Sequence, residues 1–515
     1  MIKIKRGLSM LLVGFVAFST VLSGCGSSEP GTDTKEVSQQ SQAALSTEGQ
    51  SKPSELKEVN LVWYFVGPGE QRDTAKVEEE VAKYLKDKIN VKLSLKCLDW
   101  GTYEQKMNAM IAAGEPFDLC FTASWMLDYN RNARTGAFVP INDLMDKYAP
   151  KTKELLGEEF LKASQIDGKN YALPCNKEKA RSYGIVYNKA TAEKYGFDMS
   201  TVKSIKDLEP MLKTIKENEP SAFPFIGGSL AFGIYDWHAS NSNENPDVGD
   251  ITAEGKVINQ FETPEFKEMW QLIHKYYKAG YIRKDIITQQ NVVEEAVSSG
   301  QAFAWCVNLK PGYAEEYTAN KQLKEKHGFE LGQIDFTDPI MCTADVMGSM
   351  TAISKTSSDP ERAMMFLELF NTDKYLNNLI NFGIENTHYK KIDDNTIEAI
   401  PDSGYALGMQ WALGNQFINY LQKNEIPNKW TLFEEFNKAA KPSPELGFIF
   451  NPESVKTEIA ACDTVIGQYA RALDNGVIDP DKYLPEFLSK LKAAGADKII
   501  AEKQRQFDQW KASKK

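Results

Sequence analysis

Three short apolar runs, each followed by a loop or a segment of helical spacing, fall between residues 61 and 125. This alternation constrains the fold more than any other feature of the chain. LVWYFVGPG, over 61–69, is a β run that ends in a Gly-Pro-Gly turn. Residues 71–88 then place Val77, Val81, Tyr84 and Leu85 on one helical face. VKLSLKCLDW alternates in strand fashion over 91–100. The next helix carries Tyr103, Met107, Met110 and Ile111 on one side, and Gly114 is its stop. FDLCFTASW, over 117–125, is a third strand entering a loop. Successive β–α steps predict a parallel sheet with helices on its faces. Further strands are expected around 168–190 and at 302–308, and a long helix over about 263–280. MTAISKTSSDPERAMMFLELF reads as strand, turn and helix, with Pro360 at the first helical position. From about 405 the chain is aromatic-rich and is expected to be helical.

Composition narrows the class. A length of 515 residues admits about three domain-sized units, or two large lobes with insertions. Apolar residues at 42% and charged residues at 25% are ordinary globular usage, which excludes a disordered, collagen-like or disulfide-scaffold chain. The formal net charge of -11 argues against a general nucleic-acid binder, which needs surplus basic charge. Four His occur, none at metal-ligand spacing, and no cofactor or metal is expected.

The N-terminus fixes the compartment. Lys3, Lys5 and Arg6 precede an uncharged, mostly apolar stretch over 8–22. It is short and polar for a stable span, and it ends in small residues as a secretory signal does. The ending Leu22-Ser23-Gly24-Cys25 resembles a bacterial lipobox. That resemblance implies diacylglycerol on the Cys25 sulfur and cleavage before it. Two or three acyl chains give stable anchoring, whereas one is marginal. Residues 26–54 contain no aromatic residue and are dominated by Ser, Gln, Thr, Gly and Glu. Such a segment cannot offset its ordering entropy and is expected to be a flexible stalk of roughly 30 Å reach. Six cysteines follow Cys25, none in a CxxC, and no disulfide is predicted.

The ordered set of longer segments carries a resemblance. YEQKMNAMIAAGEPFDLCFTASW, DGKNYALPC with YGIVYNKATAEKYGFD, TPEFKEMWQLIHKYYKAGYI and GSMTAISKTSSDPERAMMFLELF resemble, in order, the extracellular solute-binding proteins of ABC importers that carry sugars and oligosaccharides. The resemblance covers about 58–390. GMQWALGNQFINYL, PSPELGFIFNPESVKTEIAAC and AAGADKIIAEKQRQFDQW resemble a C-terminal domain of unassigned function on Gram-positive lipoproteins of this class. It implies a periplasmic-binding-protein-like α/β fold of type II: two lobes, a hinge, an interlobe cleft and a helical C-terminal extension. The implied partition is signal peptide 1–24, lipidated Cys and linker 25–57, first lobe 58–175, second lobe 176–335, a return to the first lobe over 336–400, and 401–515 packing on the second lobe and the cleft. A carbohydrate would be captured between the lobes and passed to an ABC permease by a monomer anchored at the outer face of the membrane.

Sugars offer apolar C–H faces and a rim of hydroxyls, so a site needs flat aromatic faces and polar partners. Trp125 follows a strand, lies in a polar loop with Ser124, Asp128 and Arg131, and matches the family's cleft position; the alternative is packing on residues 140–148. Of Tyr64 and Phe65, strand alternation turns one to the cleft and the other to the core. Trp237, between Asp236 and His238, divides evenly between site and structure. Core burial is the simpler reading for Trp305, whereas Asn308 and Lys310 at the strand end are better polar candidates. Arg181 and Glu178 lie beside the first crossing, with solvated ion pairs as the default. Asp345 and Glu385 belong to short loops of the returning lobe. Trp411 either closes one side of the cleft or packs in the core.

Three signals are set aside. NSNENPDVGD, over 241–250, lacks the Gly and Glu of a calcium loop. The terminal lysines, Lys511, Lys514 and Lys515, read as a solvated end. Gly67-Pro68-Gly69 has neither phosphate-loop pattern behind it. A surface-anchored glycosidase would need two poised carboxylates or an activated nucleophile, and neither GxSxG nor HExxH occurs. A tethered sugar sensor or adaptor would use the same fold as a transport protein.

Overall fold

The computed structural model describes residues 56–227, 248–288, 292–321, 323–423 and 425–514. The early alternation becomes a five-stranded sheet. Strand β1 (Val59–Gly67) pairs in parallel with β2 (Val91–Asp99), from Val59 against Val91 to Gly67 against Asp99. Strand β3 (Leu119–Thr122) lies parallel on the other side of β1. Helix α1 (Thr74–Lys86) buries Val77, Val81 and Leu85, and α2 (Tyr103–Ala113) buries Tyr103, Met107 and Met110. Those are the predicted faces, because apolar residues three and four apart share one side of a helix. Gly114 ends α2 at φ 66°, a left-handed conformation that costs glycine little.

Strand β4 (Ala172–Pro174) is the last of this sheet before the chain leaves it. A second, four-stranded sheet contains β5 (Ser182–Asn188), β6 (Phe225–Ile226), β7 (Ala304–Leu309) and β8 (Leu331–Asp335), in the order β8-β5-β7-β6. Helix α3 (Pro264–Lys278) lies between β6 and β7 in the chain. The chain then returns with β9 (Met350–Ile353), which inserts antiparallel between β3 and β4. The first sheet is therefore mixed, not wholly parallel as the β–α steps predict. The reason is topological: β9 arrives from the other sheet and not through a helical crossover. Helices α4 (Pro360–Thr372) and α5 (Lys374–Phe382) follow it.

Each sheet has its own core. The first gathers Trp63, Phe65, Leu119, Phe366 and Phe370, with Trp63 edge-on to Phe366 and Phe370 at 5.7 and 5.3 Å. The second gathers Ile185, Val186, Leu212, Phe225, Phe303 and Trp305. A third core joins Phe261, Phe266 and Trp270 to Phe487, Leu491 and Phe507 of the C-terminal helices α6 (Lys456–Asp474), α7 (Pro480–Ala494) and α8 (Ala496–Ser513). The expectation of helix from about 405 is corrected. Tyr405, Leu407, Met409 and Leu413 are buried in the first core without helical structure, and the next α-helix spans Lys429–Ala439.

The segments joining the sheets pair with one another. Arg181 and Ile340 exchange backbone hydrogen bonds of 3.0 and 2.9 Å, Ile340 and Met341 run parallel to Lys441 and Pro442, and Asn176 bridges to Asn415. No helix among the described residues is long and apolar enough to cross a membrane. Cys25, Trp237 and most of the 241–250 loop lie outside the described residues.

Candidate functional site

A cavity of about 450 Å³ opens where the crossing segments meet both sheets. Seven of the residues weighed from the sequence line it together: Trp125, Glu178, Arg181, Asn308, Lys310, Asp345 and Trp411. Trp125 sits just beyond β3, and its indole N–H donates to the Gly348 carbonyl at 2.8 Å. That bond fixes the ring edge, because a buried indole donor needs an acceptor. Trp411 comes from the irregular 405–413 stretch, with the Lys177 ammonium 5.6 Å from its ring centre. Asn308 is exposed at the end of β7, and its amide can both donate and accept.

Arg181 anchors the cavity wall. Its Nε lies 2.8 Å from Asp345 Oδ1, and an Nη donates to Cys342 Sγ at 2.9 Å. The Cys342 thiol donates to Asp345 Oδ2 at 2.8 Å. Burial pushes that thiol well above its ordinary range, so it stays protonated and keeps donating. Burial alone would lower the Arg181 pKa, but Asp345 reverses the effect.

The opposite wall is a chain of buried charges. Lys310 Nζ stands 3.3 Å from Glu316 and 3.7 Å from Glu178. Lys177 reaches Glu178 at 3.3 Å. Lys429 joins Glu316 at 3.1 Å to Glu425 at 2.6 Å. Burial would lower the Lys310 ammonium, yet Glu178 and Glu316 hold it above its usual value. Burial would raise both carboxyls, yet the lysines win: Glu178 is held below its usual value, and Glu316 is held down to about 2. Paired charges of this kind stay ionised out of water only while each partner remains.

Other candidates lie elsewhere. Phe65 is fully buried in the first core. Tyr64 packs edge-on against Phe117 at 6.2 Å under Lys106, so neither member of that pair lines the cavity. Both faces of β1 are covered, which is why alternation did not expose one of them. Glu385 is exposed beside a short hairpin, 3.1 Å from Lys391, and is not in the cavity wall. Trp305 is buried, as its place inside an apolar strand run suggested, against Tyr317 at 5.9 Å. The solvated pairing expected at Arg181 and Glu178 is corrected: their side chains are only 13% and 11% exposed. Sequence reasoning missed Lys177, Tyr313 and Glu316 in the wall. It also missed Trp100, whose ring lies 6.2 Å from both Trp125 and Trp411.

A wider groove of about 700 Å³ separates residues 158–168 from 446–514. Its aromatic residue, Trp510, is already covered by Phe507 at 5.5 Å and by the Lys514 ammonium at 3.9 Å. It also lies apart from the crossing segments, so the smaller cavity is the better candidate.

Residues 67–376 match the model of the family described as bacterial extracellular solute-binding protein. The chain belongs to that family. Residues 444–512 also match a domain of unknown function, DUF3502. A carbohydrate ABC transporter substrate-binding protein from Streptococcus pneumoniae is 32% identical over 440 residues, covering 84% of this chain and 87% of that one. The crystal structure of the N-glycan transport solute binding protein NgtS from the same species superposes with a TM-score of 0.77 at 30% identity, covering 89% of this chain and 100% of that one. That protein has also been solved with Man1GlcNAc and with Man5GlcNAc, at TM-scores of 0.72 and 0.70. The Bacillus subtilis lipoprotein LipO is 22% identical over 400 residues, 73% of this chain and 76% of that one. The type II solute-binding fold expected from the sequence is the fold of this protein.

Proposed function

We propose that this protein captures a carbohydrate between its two sheet-bearing halves and delivers it to an ABC permease. One observation carries the reading. The cavity is walled by Trp125 and Asp345 from the first half and by Asn308, Lys310 and Tyr313 from the second, so a ligand touches both at once. Indole faces and a dense polar rim suit sugar rings, whose C–H faces stack and whose hydroxyls both donate and accept. The relatives bearing carbohydrate-transport names support the same class. A ligand that grips both halves only when they approach shifts the population toward the closed form. The segments around 175–181 and 336–349 would act as the hinge.

Capture without chemistry is the consistent mode. A glycosidase acid needs a raised carboxyl pKa, whereas Glu178 and Glu316 are both held low by lysines. Cys25 would be acylated, holding the body at the outer face of the membrane through the 26–57 linker; the lipoprotein relative supports this. Mass spectrometry of Cys25 from native envelopes tests the anchor, and an unmodified thiol refutes it.

The binding test is a thermal-shift screen of the full-length protein against a glycan panel, followed by calorimetry. The expected result is stabilisation by at least one glycan, with weaker binding by Trp125→Ala at unchanged folding. Equal affinity of both proteins would remove Trp125 from the site, and hydrolysis of the bound glycan would overturn the transport reading.

A further inference from the structure

The ionic wall of the cavity is held from behind by a helix that does not line it, and the inference drawn from this rests on the carbohydrate reading above. The crossing segment supplies four of the lining residues, Lys177, Glu178, Ala180 and Arg181. Backbone partners hold that segment at both ends: Asn176 is bonded to Gly414 and Gln416, and Arg181 to Ile340. Between those points a side chain takes over. Asn437 is half-buried on the helix Lys429–Ala439. Its Oδ1 accepts from the Lys179 N–H at 2.6 Å, and its Nδ2 donates to the Lys177 carbonyl at 3.1 Å. A primary amide donates and accepts at once, so one side chain stands in for a neighbouring strand. Its partners also fix which way the amide points, since reversing it would set oxygen against oxygen.

The two bonds flank Glu178, one on the residue before it and one on the residue after. They therefore set the direction in which the Glu178 side chain leaves the backbone. Glu178 Oε1 stands between Lys177 at 3.3 Å and Lys310 at 3.7 Å, and Lys310 belongs to the second half. The same helix reaches other members of the wall. Lys429 pairs with Glu316 at 3.1 Å, and the Phe433 ring lies 5.2 Å from the Lys310 ammonium. None of residues 429–439 is among the described lining residues of the cavity. Such a helix acts on binding by placing the groups that the ligand meets.

We propose that Asn437 is a positioning residue for ligand capture: its amide clamps the crossing segment so that the Glu178 carboxylate stands in the cavity wall where the ligand meets it.

Calorimetry with Man5GlcNAc and amide hydrogen exchange without ligand test this on the full-length protein. Asn437→Ala should weaken Man5GlcNAc binding by about 10-fold, the worth of one hydrogen bond to a charged group. In a Glu178→Gln background the same substitution should cost less than about 2-fold, because the group it acts through is already altered. Equal losses in both backgrounds would mean that Asn437 only supports the fold, which overturns the proposal. Undiminished affinity of Asn437→Ala in the natural background overturns it as well. Without ligand, the peptide over 176–181 should exchange at least about 10-fold faster in Asn437→Ala, with the peptide over 59–67 unchanged. An unchanged rate over 176–181 overturns the clamp, whether or not Glu178→Gln folds. If the unaltered protein gives no binding heat, the carbohydrate reading fails for this glycan, and the exchange rates still decide the clamp.

Discussion

Replacing Lys310 by Met removes a charge while keeping most of the apolar stem. Lys310 is 12% exposed and lies 3.3 Å from Glu316 and 3.7 Å from Glu178. At an effective dielectric of about 20, each such pair is worth about 4–5 kcal/mol of Coulomb attraction. Removing the buried ammonium returns several kcal/mol of its desolvation cost, so the net loss on breaking the group is about 3–5 kcal/mol. The pH dependence gives a second handle. In the natural protein Glu316 is held down to about 2 from 4.5, so its contribution is complete above pH 4.5 and is lost as pH falls toward 2. In the variant, burial acts on Glu178 with one lysine fewer to oppose it, which raises its carboxyl. The folded variant then takes up a proton as pH falls, and acid stabilises it relative to the natural protein. Urea unfolding without ligand, at about pH 7.5 and about pH 5, measures both effects. The gap should be several kcal/mol at the higher pH and should shrink at the lower. A gap under about 1 kcal/mol, the size of an exposed pair, or one that widens on acidification, would refute the account of this wall.

Two more outcomes follow from buried positions. Glu445 is raised to about 7 by burial, with Asp250 adding to the rise and Lys503 opposing it. A carboxyl raised in the folded state favours folding less as pH climbs from 4.5 to about 7, so Glu445→Gln should flatten the fall in melting temperature over that window; an unchanged slope in calorimetry refutes it. At Gly184 an added Cβ would overlap the Ile334 carbonyl oxygen and come within 2.9 Å of the Asp335 backbone, so Gly184→Ala should cost about 3 kcal/mol, visible as a lower urea midpoint. A midpoint within error of the natural protein would show that β8 gives way cheaply.

The sheet framework was legible because its signals are local. A run such as Val91–Asp99 alternates buried and exposed positions within itself, and Gly114 announces a helix end by its own conformational freedom. Trp125 was legible for a similar reason: it stands just past a short buried strand, where ligands gather in α/β folds. The charged wall was not legible. Glu178, Lys310 and Lys429 are separated by more than a hundred residues each, and no local pattern distinguishes them from solvated charges. Trp100 was hidden inside a strand reading, since the tenth residue of an alternating run looks like the run's end. The partition of Tyr64 and Phe65 failed because alternation tells which residues share a face, not which face meets solvent.

The position of the cavity follows from the crossing segments more than from either sheet. Arg181 is hydrogen-bonded through its backbone to Ile340 on the returning segment, and its side chain is tied to Cys342 and Asp345 just beyond. These ties run between the two crossing segments, and that line of contacts is the axis between the two halves. The C-terminal helices divide unequally across this axis. Phe487 and Phe507 share a closed core with Phe266 and Trp270, each buried aromatic ring being worth about 1.5–3 kcal/mol. The 445–450 segment that precedes these helices meets the first half through hydrogen bonds, from Asn130 to Phe450 and between Thr343 and residues 445 and 447, each worth about 1 kcal/mol, with Leu446 and Ile449 at the margin of the first core. The C-terminal helices therefore pack chiefly on the half that carries α3.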